Sequence, residues 1–235
     1  MVRLLNSASE LPTGSHCVSF HATQDEACEQ AVAFLEGARA DQASAYWVAN
    51  QSLVPMYRTR LQSRVPDRKD SVHALGHSQV HQVGEVLRPA PEVLEFISHH
   101  PDGVTAGGET ITWFWTPETI HDYMEYETWF ERQPRLNSRF ICPYNLRRVP
   151  PQAAASVLHE LGEHHSHVVL SRAPAKAVRL IQLFLFANAR EVPEMLQHDL
   201  TWAVDAGLVQ VHEPSPILFL TASGHQLIEE WATSA

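Results

Sequence analysis

Fifteen histidines among 235 residues are the groups of this chain best suited to bind a metal or move a proton. The segment 159–167, "HELGEHHSH", resembles the zinc-protease motif HExxH, which needs two histidines one helical turn apart with an acid beside them. Glu163 occupies the position of the second histidine, and Glu160 occupies the corresponding position of the inverted motif HxxEH. The spacing therefore argues against a zinc protease.

A second histidine-rich segment, "HALGHSQVH", places His73, His77 and His81 at steps of four residues. On a helix, neighbouring side chains at this step lie about 6 Å apart and could share a metal ion. On a strand they lie about 13 Å apart and could not. Gly76 and the β-rich letters "SVHAL" favour a strand, so we expect no metal site here.

A third group combines His16, Cys17, His21 and Cys28, whose side chains are of the types that bind zinc. A strand through "HCVSF" turns His16 and Cys17 to opposite faces, which argues against a shared metal. The three cysteines, of which Cys142 is the third, show neither a CxxC pair nor disulfide-type spacing. We expect free thiols in a reducing compartment, and neither a metal nor a cofactor. A thiol-sensing role for Cys17 stays open, although a buried strand cysteine is usually inert.

The turn after "HCVSF" stands where nucleotide-binding α/β proteins carry a phosphate loop, which uses glycine N–H groups and a lysine. Here the turn is "HATQDEA", and no GxxxxGK[ST] motif occurs in the chain. Thr23 can cap the following helix, and Asp25 and Glu26 suit its N-terminal dipole but would repel phosphate. ATP hydrolysis is disfavoured. Two interpretations remain: a turn that only caps a helix, or a pocket reused for another ligand.

Ligand pockets of open α/β sheets lie beyond the carboxyl ends of the strands. His21 ends the first expected strand and Asn50 ends the second, so both would line such a crevice. Trp47 lies on the second strand, and Trp113 and Trp115 share one face of a later one. Core packing is the default explanation for the aromatic residues, and an aromatic-lined pocket is the alternative. These five are the candidate ligand-binding residues, and no spacing supports a set of catalytic residues.

Strand-like and helix-like segments alternate over residues 16–171, which predicts an α/β fold with a mostly parallel sheet flanked by helices. Within it, segment 103–115 predicts a glycine-rich lead followed by a Thr/Ile/Trp strand. After "SRAPAK" the order becomes helix, helix, hairpin, helix, the outline of a small winged-helix-like α+β domain. We therefore expect two domains, 1–172 and 173–235.

The C-terminal domain lacks the basic residues with which a DNA-binding winged helix contacts DNA. A winged helix normally places a basic helix in the major groove. From Pro174 onward the chain carries three basic and seven acidic residues, and the hairpin tip "EPSP" has neither Arg nor Lys. A role in dimerisation or protein docking is favoured, so we expect a homo-oligomer.

The whole chain is acidic, with a net charge of −10 when histidine is neutral. It gains no general attraction to nucleic acid or to anionic membranes, which bind Lys and Arg. The N-terminus has no long apolar core of a secretory signal, and the longest apolar run, "LIQLFLFANA", is too short to cross a bilayer. We expect a cytoplasmic protein without a membrane partner.

Four motifs in a fixed order resemble the MEDS domain, a sensory domain named for methanogens and methylotrophs. The resemblance covers residues 14–171 and rests on "GSHCVSFHATQDEA", "GGETITW", the pair Tyr126-Glu127, and "RFICPYNLRRVPP". It implies a relative of RecA/KaiC-like ATPases that has lost the phosphate loop. It also implies a regulatory protein, often joined to a DNA-binding or kinase-like domain, and it carries over no catalytic residues.

These observations predict a non-catalytic sensory or regulatory protein, not an enzyme. Its RecA-like domain would bind an unidentified small molecule or a regulatory protein, and its C-terminal domain would mediate association. The alternative is a ligand-responsive, DNA-binding transcription regulator, as the architecture of the family implies. The acidic C-terminal helix "PEMLQHDLTWAVDAG" favours the first hypothesis.

Overall fold

The α/β class expected from the sequence is confirmed by a computed structural model of the chain, in which helices flank a parallel sheet. The structure describes residues 3–5, 7–21, 23–40, 44–75, 81–83, 86–88, 91–108, 127, 138–145, 161, 163–169, 176–184, 186 and 188–233.

Before the C-terminal segment, the structure gives the bounds of nine strands and three α-helices. Strands β1 to β9 are Arg3–Leu5, His16–His21, Ser44–Asn50, Val72–Leu75, His81–Val83, Val86–Arg88, Val104–Gly108, Arg139–Asn145 and His167–Val169. Helices α1 to α3 are Gln24–Ala40, Val54–Arg64 and Pro91–Ser98, and short 3-10 helices span Ala8–Glu10 and Pro66–Ser71.

Seven of these strands form one sheet in the order β1-β9-β2-β8-β7-β3-β4, and every neighbouring pair in it is parallel. Strands β5 and β6 form a separate antiparallel pair. In the central pair, His16 of β2 lies opposite Phe140 of β8, and Val18 lies opposite Cys142. Because all seven strands run the same way, their carboxyl ends share one edge of the sheet.

The two faces of the sheet pack against different helices, because successive side chains of a strand alternate between them. Cys17, Trp47 and Ile141 belong to a core cluster with helices α1 and α2, and this face is called the α1/α2 face. Val18 and Tyr144 point to the opposite face. The continuous apolar composition of the strands, rather than strict alternation, follows from this double burial.

The opposite face packs against the C-terminal segment over β2, β8 and β9, and against α3 over β3 and β7. The elements of the C-terminal segment are α4 (Lys176–Leu183), α5 (Glu194–Asp205), β10 (Val209–His212), β11 (Ile217–Leu220) and α6 (Ala222–Thr233). They occur in the expected order of helix, helix, hairpin, helix. One core cluster contains Val18 and Tyr144 of the sheet together with Leu180 of α4 and Ile228 of α6. Residues 170–175 lie outside the described part, and the boundary at 172/173 stays a prediction.

The glycine-rich segment differs from its prediction, because the glycines themselves belong to strand β7. A Cβ atom on Gly107 would lie 2.5 Å from Cγ2 of Ile141 and 2.8 Å from the Trp47 ring. Only glycine therefore lets β7 pass beside these two side chains. The expected Thr/Ile/Trp strand at 109–115 lies outside the described residues.

Within the part of the chain that the structure describes, no helix combines the length and apolar character needed to cross a membrane.

Candidate functional site

The turn at the carboxyl end of β2 is closed by its own side chains. The Thr23 Oγ1 accepts a hydrogen bond from the Glu26 N–H at 3.2 Å, and the Glu26 carboxylate accepts one from the Thr23 N–H at 3.3 Å. This reciprocal pair is a capping box, so the expected cap at Thr23 is confirmed. It satisfies backbone donors that a phosphate loop would offer to its ligand.

Further contacts surround this turn with side-chain partners. Asp25, in the first turn of α1, accepts from Arg60 of α2 at 3.1 Å. Gln24 donates through Nε2 to the hydroxyl of Tyr57 at 3.2 Å. The first turn of α1 thus carries two carboxylates and no lysine, an arrangement that electrostatically disfavours phosphate.

The two polar candidates at the carboxyl edge, His21 and Asn50, are far apart in the sheet. Strands β8 and β7 separate β2 from β3, so the two strand ends lie three strand spacings apart, about 14 Å. His21 is buried, with 1% of its surface exposed. Asn50 accepts from the Ser52 N–H at 3.0 Å and from the Ser52 hydroxyl at 2.9 Å, which closes its own turn. The structure does not bring these two residues together.

Trp47 lies in the core of the α1/α2 face and is fully buried. Its ring packs against Phe34 of α1 at a centroid distance of 6.2 Å and against Tyr57 of α2 at 5.9 Å. Trp113 and Trp115 lie outside the described residues. The ligand-binding role of His21, Trp47, Asn50, Trp113 and Trp115 stays a prediction.

The histidines of "HALGHSQVH" lie on strands where the structure describes them, as expected for His73 on β4 and His81 on β5. His77 lies outside the described residues. The His73 ring stacks on Tyr46 with 4.2 Å between centroids, and burial together with the nearby Arg58 lowers its pKa. His73 is thus a neutral packing residue near pH 7.

One group of potential metal ligands is brought together in the described part of the chain: His16, Glu127, Cys142 and His165. His16 is the first residue of β2, Cys142 lies on the adjacent β8, and His165 precedes β9 by two residues. Glu127 is helical. One ligand atom from each residue lies within 4.8 Å of all the others. We call these four residues the His/Cys/Glu cluster.

The individual distances within the cluster are short. The His16 Nε2 lies 3.1 Å from the Cys142 Sγ and 3.7 Å from the Glu127 Oε2. The His165 Nε2 lies 3.6 Å from the same carboxylate oxygen. The two imidazole rings lie beside each other, with 4.1 Å between their centroids. Two nitrogens, a sulfur and an oxygen thus face a common point.

Neighbouring groups fix the orientation of two cluster members. The Tyr144 hydroxyl donates a hydrogen bond to the Glu127 Oε1, which leaves Oε2 as the oxygen nearest the histidines. The His165 Nδ1 lies 2.7 Å from the Leu161 carbonyl oxygen and donates to it. That bond selects the tautomer whose Nε2 lone pair points to the cluster.

The cluster is enclosed: His16, Glu127 and His165 are buried, and Cys142 is half-buried. A carboxylate removed from water needs compensating charge or hydrogen bonds. Either a protonated histidine or a bound cation could supply the charge at this position. The donor set N, N, S, O is one that zinc accepts in proteins.

Strand alternation correctly predicted that His16 and Cys17 point to opposite faces. The sequence did not indicate which residues lie beside His16. Cys17 lies in the core of the α1/α2 face, where burial strongly raises the pKa of its thiol. The pattern that could have predicted part of the cluster is the alternation of side chains along two paired strands. His16 and Cys142 lie on paired strands at positions that share a face.

Comparisons of this chain with protein-family models, with curated proteins and with solved structures found no match. The MEDS assignment therefore stays a prediction from the quoted motifs.

Proposed function

We propose that this protein is a non-catalytic sensory or regulatory protein whose α/β domain binds a small ligand or a regulatory protein. In this proposal the fold is a RecA-like scaffold of the MEDS type in which nucleotide chemistry has been lost. The protein acts in the cytoplasm, and its C-terminal elements mediate self-association.

The observation that carries the proposal is the closed N-terminus of α1. A helix N-terminus binds phosphate when its first N–H groups are open and its dipole meets an anion. Here the capping box of Thr23 and Glu26 uses donors of this turn, and Asp25 places a second carboxylate beside it. A nucleotide phosphate would have to displace the box and approach both acids.

The association role rests on the surface of the C-terminal elements. Two large apolar side chains on α5 and two on β11 are exposed: Met195, Val204, Ile217 and Phe219. Exposed apolar side chains of this size can contribute to protein–protein contacts.

The DNA-binding alternative finds less support. Helix α5 carries Glu194, Asp199 and Asp205 as its formal charges. Asp199 is paired with Arg179 of α4, so one of the three basic residues of the segment is already engaged. The DNA phosphates would face a negatively charged surface, which disfavours binding.

The test is a nucleotide hydrolysis assay with the full chain in the presence of Mg²⁺ and ATP. Wild type, Gln24→Ala in the first turn of α1, and the matched control Gln197→Ala on α5 are expected to show the same background rate. Turnover by wild type that is lost in Gln24→Ala but retained in Gln197→Ala would overturn the proposal.

A further inference from the structure

We infer that the His/Cys/Glu cluster is a binding site for one divalent cation of the zinc type, held by His16, Glu127, Cys142 and His165. This inference goes beyond the proposed function and does not depend on it. The site lies at the amino ends of β2 and β9, on the face opposite α1 and α2, away from the carboxyl edge where a sheet pocket was expected.

Three of the six separations among the ligand atoms lie at or near the values of a tetrahedral site. Zinc bonds of about 2.0–2.3 Å to nitrogen, oxygen and sulfur place the ligand atoms about 3.3–3.8 Å from one another. The measured separations are 3.1 Å from the His16 Nε2 to the Cys142 Sγ, and 3.7 and 3.6 Å from the two histidines to the Glu127 Oε2. All four atoms fall within 4.8 Å, so shifts of side-chain size complete the coordination shell.

The charges balance when a divalent cation is present. A Cys142 thiolate and a Glu127 carboxylate supply two negative charges, and two neutral imidazoles supply none. The resulting neutral group suits the complete burial of His16 and Glu127, because an uncompensated ion is costly away from water.

The surrounding hydrogen bonds are those expected around metal ligands. Ligating histidines commonly donate their other ring N–H to a carbonyl, as the His165 Nδ1 does to Leu161. Ligating carboxylates are themselves hydrogen-bonded, as Glu127 is by the Tyr144 hydroxyl. These contacts orient the donor atoms before a cation arrives.

The donor types select the class of ion. A thiolate with two imidazoles suits Zn²⁺ and its chemical neighbours, whereas Mg²⁺ and Ca²⁺ prefer oxygen ligands. Four protein ligands complete a tetrahedral shell and leave no position for a reactive water. The site is therefore structural or sensory rather than catalytic.

The first experiment titrates the full chain, stripped with EDTA, with Zn²⁺ and with Co²⁺. Native mass spectrometry is expected to show one Zn²⁺ per chain. Co²⁺ is expected to give the intense visible bands of tetrahedral coordination and a near-ultraviolet band from a thiolate ligand. A folded wild-type chain that binds neither ion stoichiometrically would refute the site.

Matched variants locate the ion. Cys142→Ala is expected to lose the thiolate band and stoichiometric binding. Cys17→Ala is expected to keep both, because Cys17 is a buried cysteine on the same pair of strands but on the α1/α2 face. Equal zinc affinity in the two variants, or loss in Cys17→Ala alone, would contradict the assignment.

A gentler variant covers the case in which Cys142→Ala does not fold. Tyr144→Phe removes only the hydroxyl that orients Glu127, so stoichiometry is expected to persist while zinc affinity falls about 10- to 100-fold. Unchanged affinity in this variant counts against Glu127 as a ligand. Because nucleotide turnover is measured separately, failure of the metal site and failure of the proposed function are distinguishable.

Discussion

The two ends of strand β2 satisfy their polar groups in different ways. At the carboxyl end, Thr23 and Glu26 are three residues apart and bond to each other, which leaves a closed turn. At the amino end, His16 meets Cys142 and His165, which are supplied by distant parts of the chain. A histidine stands at each end, His16 and His21, and among the described residues His16 joins a group of potential metal ligands.

The difference separates an end whose polar groups bond to near neighbours in sequence from an end where donor atoms of distant residues converge. The carboxyl end, which has the sequence position of a phosphate loop, forms local helix-capping hydrogen bonds instead. The end without any local motif brings together two donors from paired strands, one from the residues before β9 and one from a helix. The position of a turn in the sequence is therefore a weaker guide to function than the convergence of side chains in space.

The largest expected effect tests whether Trp47 belongs to the packed interior or to an open crevice. Trp47→Ala is expected to lower the free energy of unfolding by about 3–5 kcal/mol, because a fully buried ring leaves a cavity between Phe34 and Tyr57. Urea denaturation measures it. Trp202→Ala, at a half-buried residue of α5, is the control and should lose less. A loss below about 1 kcal/mol for Trp47→Ala would mean that the ring is not part of the core.

The second largest expected effect tests whether zinc binds at the amino end of β2. Zinc supplied at about 100 times its dissociation constant is expected to stabilise the wild-type protein by about 2.7 kcal/mol. For a chain of this length the melting temperature should rise by roughly 5–10 °C. Calorimetry with and without zinc measures the shift, and His165→Ala should show none. The same rise in wild type and His165→Ala would place the stabilising ion elsewhere.

The smallest expected effect tests whether the capping box after the carboxyl end of β2 stabilises the fold. Thr23→Ala is expected to cost about 1 kcal/mol, because the Glu26 N–H loses its side-chain acceptor. Chemical denaturation measures this loss. Thr201→Ala, an exposed threonine in the middle of α5, should change stability by no more than about 0.5 kcal/mol. If the two variants behave alike, the turn is not held by its cap.

Much of the fold could be predicted because its strands are continuous apolar segments between turn residues. Strands β2, β3 and β8 lie where their composition indicated, and the hairpin of β10 and β11 spans the expected "EPSP" tip. Strand β1 was missed, because three residues with one basic side chain carry no periodic pattern. Strand β7 was displaced because glycine disfavours strands in general and is required here by close packing against Ile141.

The cluster could be predicted only in part. Strand alternation correctly separated His16 from Cys17. It could not supply the order of strands, and without that order Cys142 has no reason to lie beside His16. Glu127 adds a further obstacle, since a carboxylate on a helix is ordinarily a solvated residue until the packing of that helix is known.

The sheet and the C-terminal helices share one core cluster. Val18 and Tyr144 pack in the same interior as Leu180 and Ile228. Tyr144 also holds the carboxylate of the His/Cys/Glu cluster. Tyr144 thus links the cluster to the interior that the C-terminal helices share with the sheet.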